Sequence, residues 1–344
     1  MISSWLTPIY AGAVAARSGL YDAGWLRSER LTVPVLSVGN LTAGGTGKSP
    51  MVEWIAATLH AHGKRPAVVS RGYRGTHTGR ATVVSKGDGP LVDAVVAGDE
   101  PVMFAASLEG VPVIVAHRRA DGGALAIRLF DARCIVLDDG YQHRALHRDL
   151  NLLLIDGADP FGNGRLLPAG PLREPFSAMT RAGAVVVTRA DHASAESLLR
   201  ISEQTTRHCP AAPVFHSRST MKDLVRLADR TTIPLESLRA ARVVCFAGIA
   251  HPKRFFDDVT STGADLVASI AFPDHHRFDP LDLERVGTAA MSEKADLIIT
   301  TRKDAARLGG TALPASLDCL YALRAATVID ERATFESLLE RSVS

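Results

Sequence analysis

Cysteine is scarce in this sequence and unpatterned. Cys134, Cys209, Cys245 and Cys319 are the only four among 344 residues. None forms a C-x-x-C pair and most lie in apolar runs, which argues against disulfides or zinc and for reduced core thiols of a cytosolic protein. A charge excess of one sign is also missing: the net charge of +2 gives no broad electrostatic case for nucleic acid. Internal repeats and low-complexity tracts are absent. So is any apolar run long enough to cross a bilayer, since the N-terminal one is broken by Pro8 and ends at Arg17. That N-terminus has no basic residue before Arg17 and no clean cleavage site, and it reads poorly as a signal peptide.

What is present begins with a glycine-rich stretch, SVGNLTAGGTGKSP, from Ser37 to Pro50. The pattern G-x-x-x-x-G-K-[ST] wraps backbone N–H groups around phosphates, with a Lys on the β/γ-phosphates and a hydroxyl on Mg²⁺. Gly47, Lys48 and Ser49 fit it, and Gly44, Gly45 and Thr46 complete the loop, but Thr42 stands where the first glycine belongs. The context suits an anion site. An apolar, β-branched run, LTVPVLSVGN, precedes the loop, and MVEWIAATLHAHG follows with Met51, Trp54, Ile55, Thr58 and Leu59 on one helical face. The N-terminus of that helix adds its positive end to the site.

Short apolar strands then alternate with helical stretches: PAVVS, ATVVS, VPVIVA, CIVLDDG, LNLLLID and AVVVTRAD. This implies a mostly parallel sheet covered on both faces. Near PVFHSRSTMKDLVRL the pattern becomes polar and alternating, which suggests an antiparallel ribbon or linker, and a second α/β series begins at RVVCFAGI. The expected organisation is an N-terminal helical region over 1–30, a phosphate-binding domain over 31–212, a linker over 213–239 and a smaller α/β domain over 240–344.

Ligands of such sheets sit beyond the carboxyl ends of the strands. Asp138 and Asp139 end the strand CIVLDDG, where an NTPase holds its Mg²⁺. Asp99 and Glu100 precede Pro101; Asp99 is either a helix cap or a base for an acceptor hydroxyl. FPDHHRF places Asp274, His275 and His276 in one loop, and without H-x-x-x-H spacing a zinc role is not expected. RLLPAGPLREPF carries Arg165, Arg173 and Glu174, and SRGYRG offers Arg71, Tyr73 and Arg74. An Arg at such an edge suits a transferring phosphate. Trp5, Leu6, Ile9, Tyr10, Ala13 and Val14 form one apolar face of an N-terminal helix, flanked by Tyr21, Trp25, Arg17, Arg27 and Arg30. It lies either in a membrane surface or on the domain's own core.

Taken with FAGIAHPKRFF and LDDGYQHRALHRDLNLLLID, these stretches resemble the tetraacyldisaccharide 4'-kinases of lipid A biosynthesis, in the family's order and over nearly the whole chain. The resemblance implies a P-loop NTPase-like α/β/α sandwich joined by a β-ribbon to a smaller α/β domain. It implies ATP- and Mg²⁺-dependent transfer to the 4'-hydroxyl of an acylated glucosamine disaccharide 1-phosphate. By motif, Lys48 and Ser49 serve the ATP phosphates and Mg²⁺, Asp99 is the base and His275 its partner. Asp138, Asp139 and Glu174 match acids of the metal and active site, Arg173 a phosphate contact, and Tyr73, Arg74, Gln142 and His143 positions near the disaccharide. Thr42 is a habit of that family, whereas Ser49 replaces its commoner Thr. The resemblance favours the membrane-surface helix, on a peripheral monomer at the cytoplasmic face of the inner membrane. The rivals are an ATPase switch, which would need a second lysine where Ala43 stands, and a kinase of a soluble metabolite.

Overall fold

The computed structural model describes residues 6–309 and 313–344. Helix α1 (Thr7–Asp22) precedes β1 (Val35–Asn40), which passes through the glycine loop into α2 (Lys48–Ala61). The first half continues with β2 (Pro66–Ser70), β3 (Thr82–Ser85), α3 (Ala94–Ala97), α4 (Asp99–Ser107), β4 (Val113–Val115) and α5 (Arg119–Phe130). It closes with β5 (Cys134–Asp138), β6 (Leu150–Asp156), β7 (Ala184–Thr188) and α6 (Ala195–His208). The second half holds β8 (Val214–Arg226), β9 (Thr232–Pro234), β10 (Arg242–Ala247), α7 (Pro252–Ser261), β11 (Asp265–Ala271) and α8 (Pro280–Ser292). After these come β12 (Leu297–Thr301), α9 (Arg302–Leu308), β13 (Leu320–Ile329) and α10 (Arg332–Ser342).

The strands are buried on both faces, so they read as unbroken apolar runs. Their side chains alternate between two cores. In β1, Leu36 and Val38 join Met51, Ile55 and Leu59 of α2 and Phe104 of α4, whereas Val35 joins Ala120 and Ala126 of α5. A third core under α6 and a pair of cores on either side of the second half complete the α/β/α layering.

All strands belong to one 13-stranded sheet, in which β9 pairs only with β8 and the others run β11-β10-β12-β13-β8-β7-β6-β1-β5-β2-β4-β3. Val214–His216 of β8 pair parallel with β7, and Ser217–Arg226 then pair antiparallel with β13. The segment expected as a ribbon or linker over 213–239 holds β8, a strand that both halves share, and β9, which pairs with it antiparallel, so the sheet does not break there. The expected C-terminal boundary is also crossed. Helix α10 returns to the first half, where Phe335 and Leu339 enter the core of Leu36 and Met51, and Phe335 packs 5.5 Å from Trp54.

The N-terminal helix departs from the expected single apolar face. Tyr10 and Val14 turn half-buried toward the body, because the Tyr10 hydroxyl donates to the Arg173 carbonyl at 2.8 Å. Ile9, Ala13, Ala16 and Leu20 point outward instead, Ile9 with 64% of its surface exposed. Trp5 lies outside the described residues. Among the described residues no helix is long and apolar enough to cross a membrane.

Candidate active site

The site gathers at the carboxyl ends of β1, β2, β5 and β7, where the phosphate loop turns into α2. Gly44 (φ 113°) and Gly47 (φ 75°) occupy the left-handed region, which costs a glycine nothing and other residues strain. A side chain at Gly47 would meet Thr188 at the end of β7 only in ordinary contact, so the positive φ is what calls for glycine. Thr188 ties itself to the loop by donating from Oγ1 to the Thr46 carbonyl at 3.1 Å. Thr42 has a local reason to replace glycine. Its Oγ1 and carbonyl both accept from the Asn40 amide, and its backbone bridges to Leu172.

Lys48 is folded back within the loop. Its Nζ donates to Asn40 Oδ1 at 3.2 Å and stands 3.8 Å from Asp139. Burial holds its pKa below the ordinary lysine value, although Asp139 opposes this. Ser49 Oγ donates to Glu100 Oε1 at 2.7 Å, and Glu100 is paired with Lys303 at 2.8 Å. Burial would raise the Glu100 pKa, but Lys303, Ser49 and Lys48 together hold it below its ordinary value.

At the end of β5, Asp138 is buried and accepts from Ser70 through Oδ2 at 2.8 Å. Its Oδ1 has no partner among the described residues. Burial first, and the charges of Glu100 and Asp139 next, push its pKa up to about 7. Asp139 behaves oppositely. Burial raises it, but two 2.9 Å hydrogen bonds from Arg173 and the charge of Lys48 hold it below the usual carboxylate value. Arg173 also donates to Asn40.

The remaining expected residues come from several elements. Asp99 opens α4 and takes His275 Nδ1 at 2.7 Å on Oδ2. His276 is directed elsewhere, to Asp282 of α8 at 2.7 Å, with its ring stacked on Phe272. Tyr73 meets His275 edge-on at 6.2 Å and lies under the Arg74 guanidinium. Gln142 donates to the Asn40 carbonyl at 2.8 Å, and Arg17 of α1 donates to the Gln142 carbonyl at 3.1 Å. Burial, then Arg119, Arg148, Arg17 and Arg71, push the His143 pKa down to about 4, so its imidazole is neutral at pH 7.

The sequence profile of the tetraacyldisaccharide-1-P 4'-kinase family matches residues 2–344. Tetraacyldisaccharide 4'-kinase of Anaeromyxobacter sp. (strain K) is 42% identical over 315 residues, covering 92% of this chain and 83% of the relative. The enzyme of that name from Pelobacter propionicus is 42% identical over 303 residues, covering 88% and 81%. A crystal structure of LpxK from Aquifex aeolicus, in complex with ATP, superimposes with a TM-score of 0.79 at 30% identity, covering 98% of each chain.

The chain belongs to the tetraacyldisaccharide-1-P 4'-kinase family. It is an ATP-dependent kinase of lipid A biosynthesis, with the P-loop NTPase-like fold that its glycine loop implies.

Two features of this kinase's charged residues lie outside what the motifs alone convey. Glu174 was expected among the metal acids, yet it is buried and its Oε2 accepts from Arg181 at 2.7 Å and Gln142 at 3.0 Å. A carboxylate so engaged fastens the loop after β6, and Glu100 occupies the place beside Ser49. Lys303 and Arg307 were also missed, although both follow directly from the end of β12, where sheet ligands gather.

The fit of Mg²⁺ rests on Asp138 and Ser49. A buried carboxylate with one unpartnered oxygen and a raised pKa is under-compensated until a cation or proton arrives. No group of three acids, histidines or cysteines stands ready to hold a metal among the described residues. A P-loop site does not need one, because phosphate oxygens and water complete the shell.

Proposed function

We propose that this kinase transfers the γ-phosphate of ATP to the 4'-hydroxyl of an acylated glucosamine disaccharide 1-phosphate, with Asp99 as the base. The observation that carries the reading is the adjacency of Asp99 and Glu100 in the first turn of α4. Glu100 accepts from Ser49 of the phosphate loop, while Asp99 accepts from His275 of the other half. The base thus lies one residue from the group that touches the loop hydroxyl.

The backbone of Thr42 to Gly47 and the Lys48 ammonium would surround the ATP phosphates. Ser49 and Asp138 would hold Mg²⁺, with Asp139 and Glu100 next to them; when bound, the ion would neutralise charge on the phosphate oxygens. Lys48 would exchange its contact with Asp139 for phosphate oxygens. Arg173, now fixed by Asp139 and Asn40, would turn part of its guanidinium from those partners to the phosphoryl group.

In the transfer, the 4'-oxygen forms a bond to the γ-phosphorus as the bond to the β,γ-bridging oxygen breaks, and ADP leaves. Asp99 takes the hydroxyl proton. His275 and Arg307 both contact Oδ2, and Oδ1 accepts no hydrogen bond from the described residues, which suits it for the hydroxyl. Tyr73, Arg74, Gln142 and the neutral His143 line the acceptor side.

The acyl chains of the acceptor belong in a bilayer, and α1 suits the task of meeting that surface. Its outer stripe of Ile9, Ala13, Ala16 and Leu20 is continued by Trp25, which is 80% exposed. Its inner side reaches Arg173 and Gln142 through Tyr10 and Arg17. We therefore read the protein as a peripheral monomer on the cytoplasmic face of the inner membrane, with no role for nucleic acid.

The test is phosphate transfer to a tetraacylated disaccharide 1-phosphate, with acceptor omitted as control. Acceptor-dependent formation of the 4'-phosphate supports the proposal; ATP hydrolysis at equal rate without acceptor overturns it.

A further inference from the structure

Helix α9 carries two cations whose partners stand at the start of α4, and the phosphate-loop motif gives no reason for either. The helices pack against each other across the two halves. Lys303 Nζ donates to Glu100 Oε1 at 2.8 Å, and Arg307 Nε donates to Asp99 Oδ2 at 2.8 Å. Because Lys303 and Arg307 are four residues apart, they share one helix face and grip adjacent acids.

Arg307 is the more confined of the two, with 4% of its side chain exposed. A guanidinium taken out of water is costly unless its donors are matched. Here Nη1 donates to the Gly248 carbonyl and to Asp304 Oδ1, each at 2.6 Å. Asp304 is fully buried and is itself fixed by Thr301 Oγ1 at 2.6 Å and the Gly248 N–H at 3.2 Å. The Gly248 carbonyl also accepts from the His275 N–H at 3.0 Å. One carbonyl therefore braces both the guanidinium and the loop that carries the histidine. A side chain at Gly248 would sit 3.1 Å from Asp304 and 3.3 Å from Arg307, so glycine keeps this junction closed.

A brace whose sole task was to join the halves would be complete with Asp304 and Gly248. Arg307 goes further. Its Nη2 stands 2.8 Å from Asp99 Oδ2 and 3.5 Å from His275 Nδ1. Arg307 and His275 converge on one oxygen of Asp99, and that convergence fixes how the carboxylate is turned.

We propose that Arg307 is a positioning residue for phosphoryl transfer, holding Asp99 and His275 in one orientation, while Lys303 of the same helix holds Glu100 and Ser49. The proposal rests on the reading of Asp99 as the base. Through α9 the second half then controls the alignment of a base that belongs to the first.

The experiment compares Arg307→Ala, Arg307→Lys and Asp99→Ala in the full-length enzyme, assayed for 4'-phosphorylation with both substrates varied. Misplacement of a reacting group by about 1 Å costs about 10²-fold, so kcat of Arg307→Ala should fall by about that factor, with both KM values within about threefold. Arg307→Lys should fall between the two, since a single ammonium cannot reproduce the planar fork. Added guanidinium ion should restore turnover to Arg307→Ala and leave Asp99→Ala inactive. Thermal unfolding of each variant reports whether it folds. Should Arg307→Ala fail to fold, Arg307→Lys and Lys303→Met carry the same expectation of a kcat loss without a KM change. A folded Arg307→Ala with kcat within about threefold of the parent overturns the proposal. So does a loss that guanidinium leaves untouched and Arg307→Lys does not recover. An active Asp99→Ala would instead remove the base reading itself, whatever Arg307 does.

Discussion

Asp138 has a carboxyl pushed up to about 7, and the sign of its effect on stability follows from that direction. An unfolded aspartate titrates near about 3.9, so the folded state binds the proton more tightly. The stabilisation is fully present below the unfolded value and is lost as pH rises through about 7. Replacing Asp138 by Asn removes the buried charge, so the melting temperature of nucleotide-free Asp138→Asn relative to the parent should climb between about pH 5 and about pH 8. An unchanged difference across that range would contradict the assignment of this acid as the under-compensated one. Glu174 carries the opposite expectation. Removing it strands a largely buried Arg181, so Glu174→Ala should lose about 3 kcal/mol in urea denaturation. The Mg²⁺ concentration that supports half-maximal activity should stay unchanged.

Residues such as Lys48, Ser49 and Asp138 were legible in the sequence because their meaning is local: a strand, a turn of glycines, a helix. The pairing of Asp99 with His275 was not derivable from spacing, since 176 residues separate them; it came through the family resemblance. Arg307 left no trace at all, because TRKDAARL reads as an ordinary charged helix until Asp99 is brought beside it. The partners of Glu174 were hidden for a related reason. Its neighbour Arg173 does face the site, and only the fold shows that the next side chain turns toward Arg181 instead.

Among the elements, α1 gives the sharpest contrast between pattern and structure. A helix of apolar and small residues predicts amphipathicity, but which stripe faces outward depends on Tyr10 finding an acceptor in the loop of Arg173. The outward stripe makes a specific prediction. Burying one large aliphatic side chain contributes about 1.5–3 kcal/mol, so Ile9→Glu or Leu20→Glu should each weaken sedimentation with anionic lipid vesicles by about tenfold or more. ATP binding should be unaffected. Val14→Glu, on the inner side, should instead lower thermal stability. Equal vesicle binding by all three variants would mean that α1 does not meet the membrane through this stripe. Strand β8 taught a different lesson. Its alternating, polar sequence suits a ribbon, which it forms with β9, and the sequence could not show that two of its partners, β7 and β13, lie in different halves.

In the whole molecule, one sheet runs from β3 to β11, and the charged groups of the candidate site converge from both sides of β8. Asp99 and Glu100 come from the first half; His275, Lys303 and Arg307 come from the second. The sheet makes the halves mechanically continuous, and α10 fastens the second to the first core through Phe335. The alternation of strands and helices was legible from end to end, because buried parallel strands leave apolar runs that no other element does. How the halves meet was not, since every cross-contact joins residues far apart in the chain.

In the proposed reaction Asp99, set between His275 and the phosphate loop, takes the proton of the acceptor hydroxyl. The most direct test is kcat for 4'-phosphorylation by Asp99→Ala, measured beside its dissociation constant for ATP. General-base catalysis contributes about 10²- to 10⁴-fold, so kcat should fall by that order while ATP affinity stays within about threefold. Turnover within a few-fold of the parent would contradict the account.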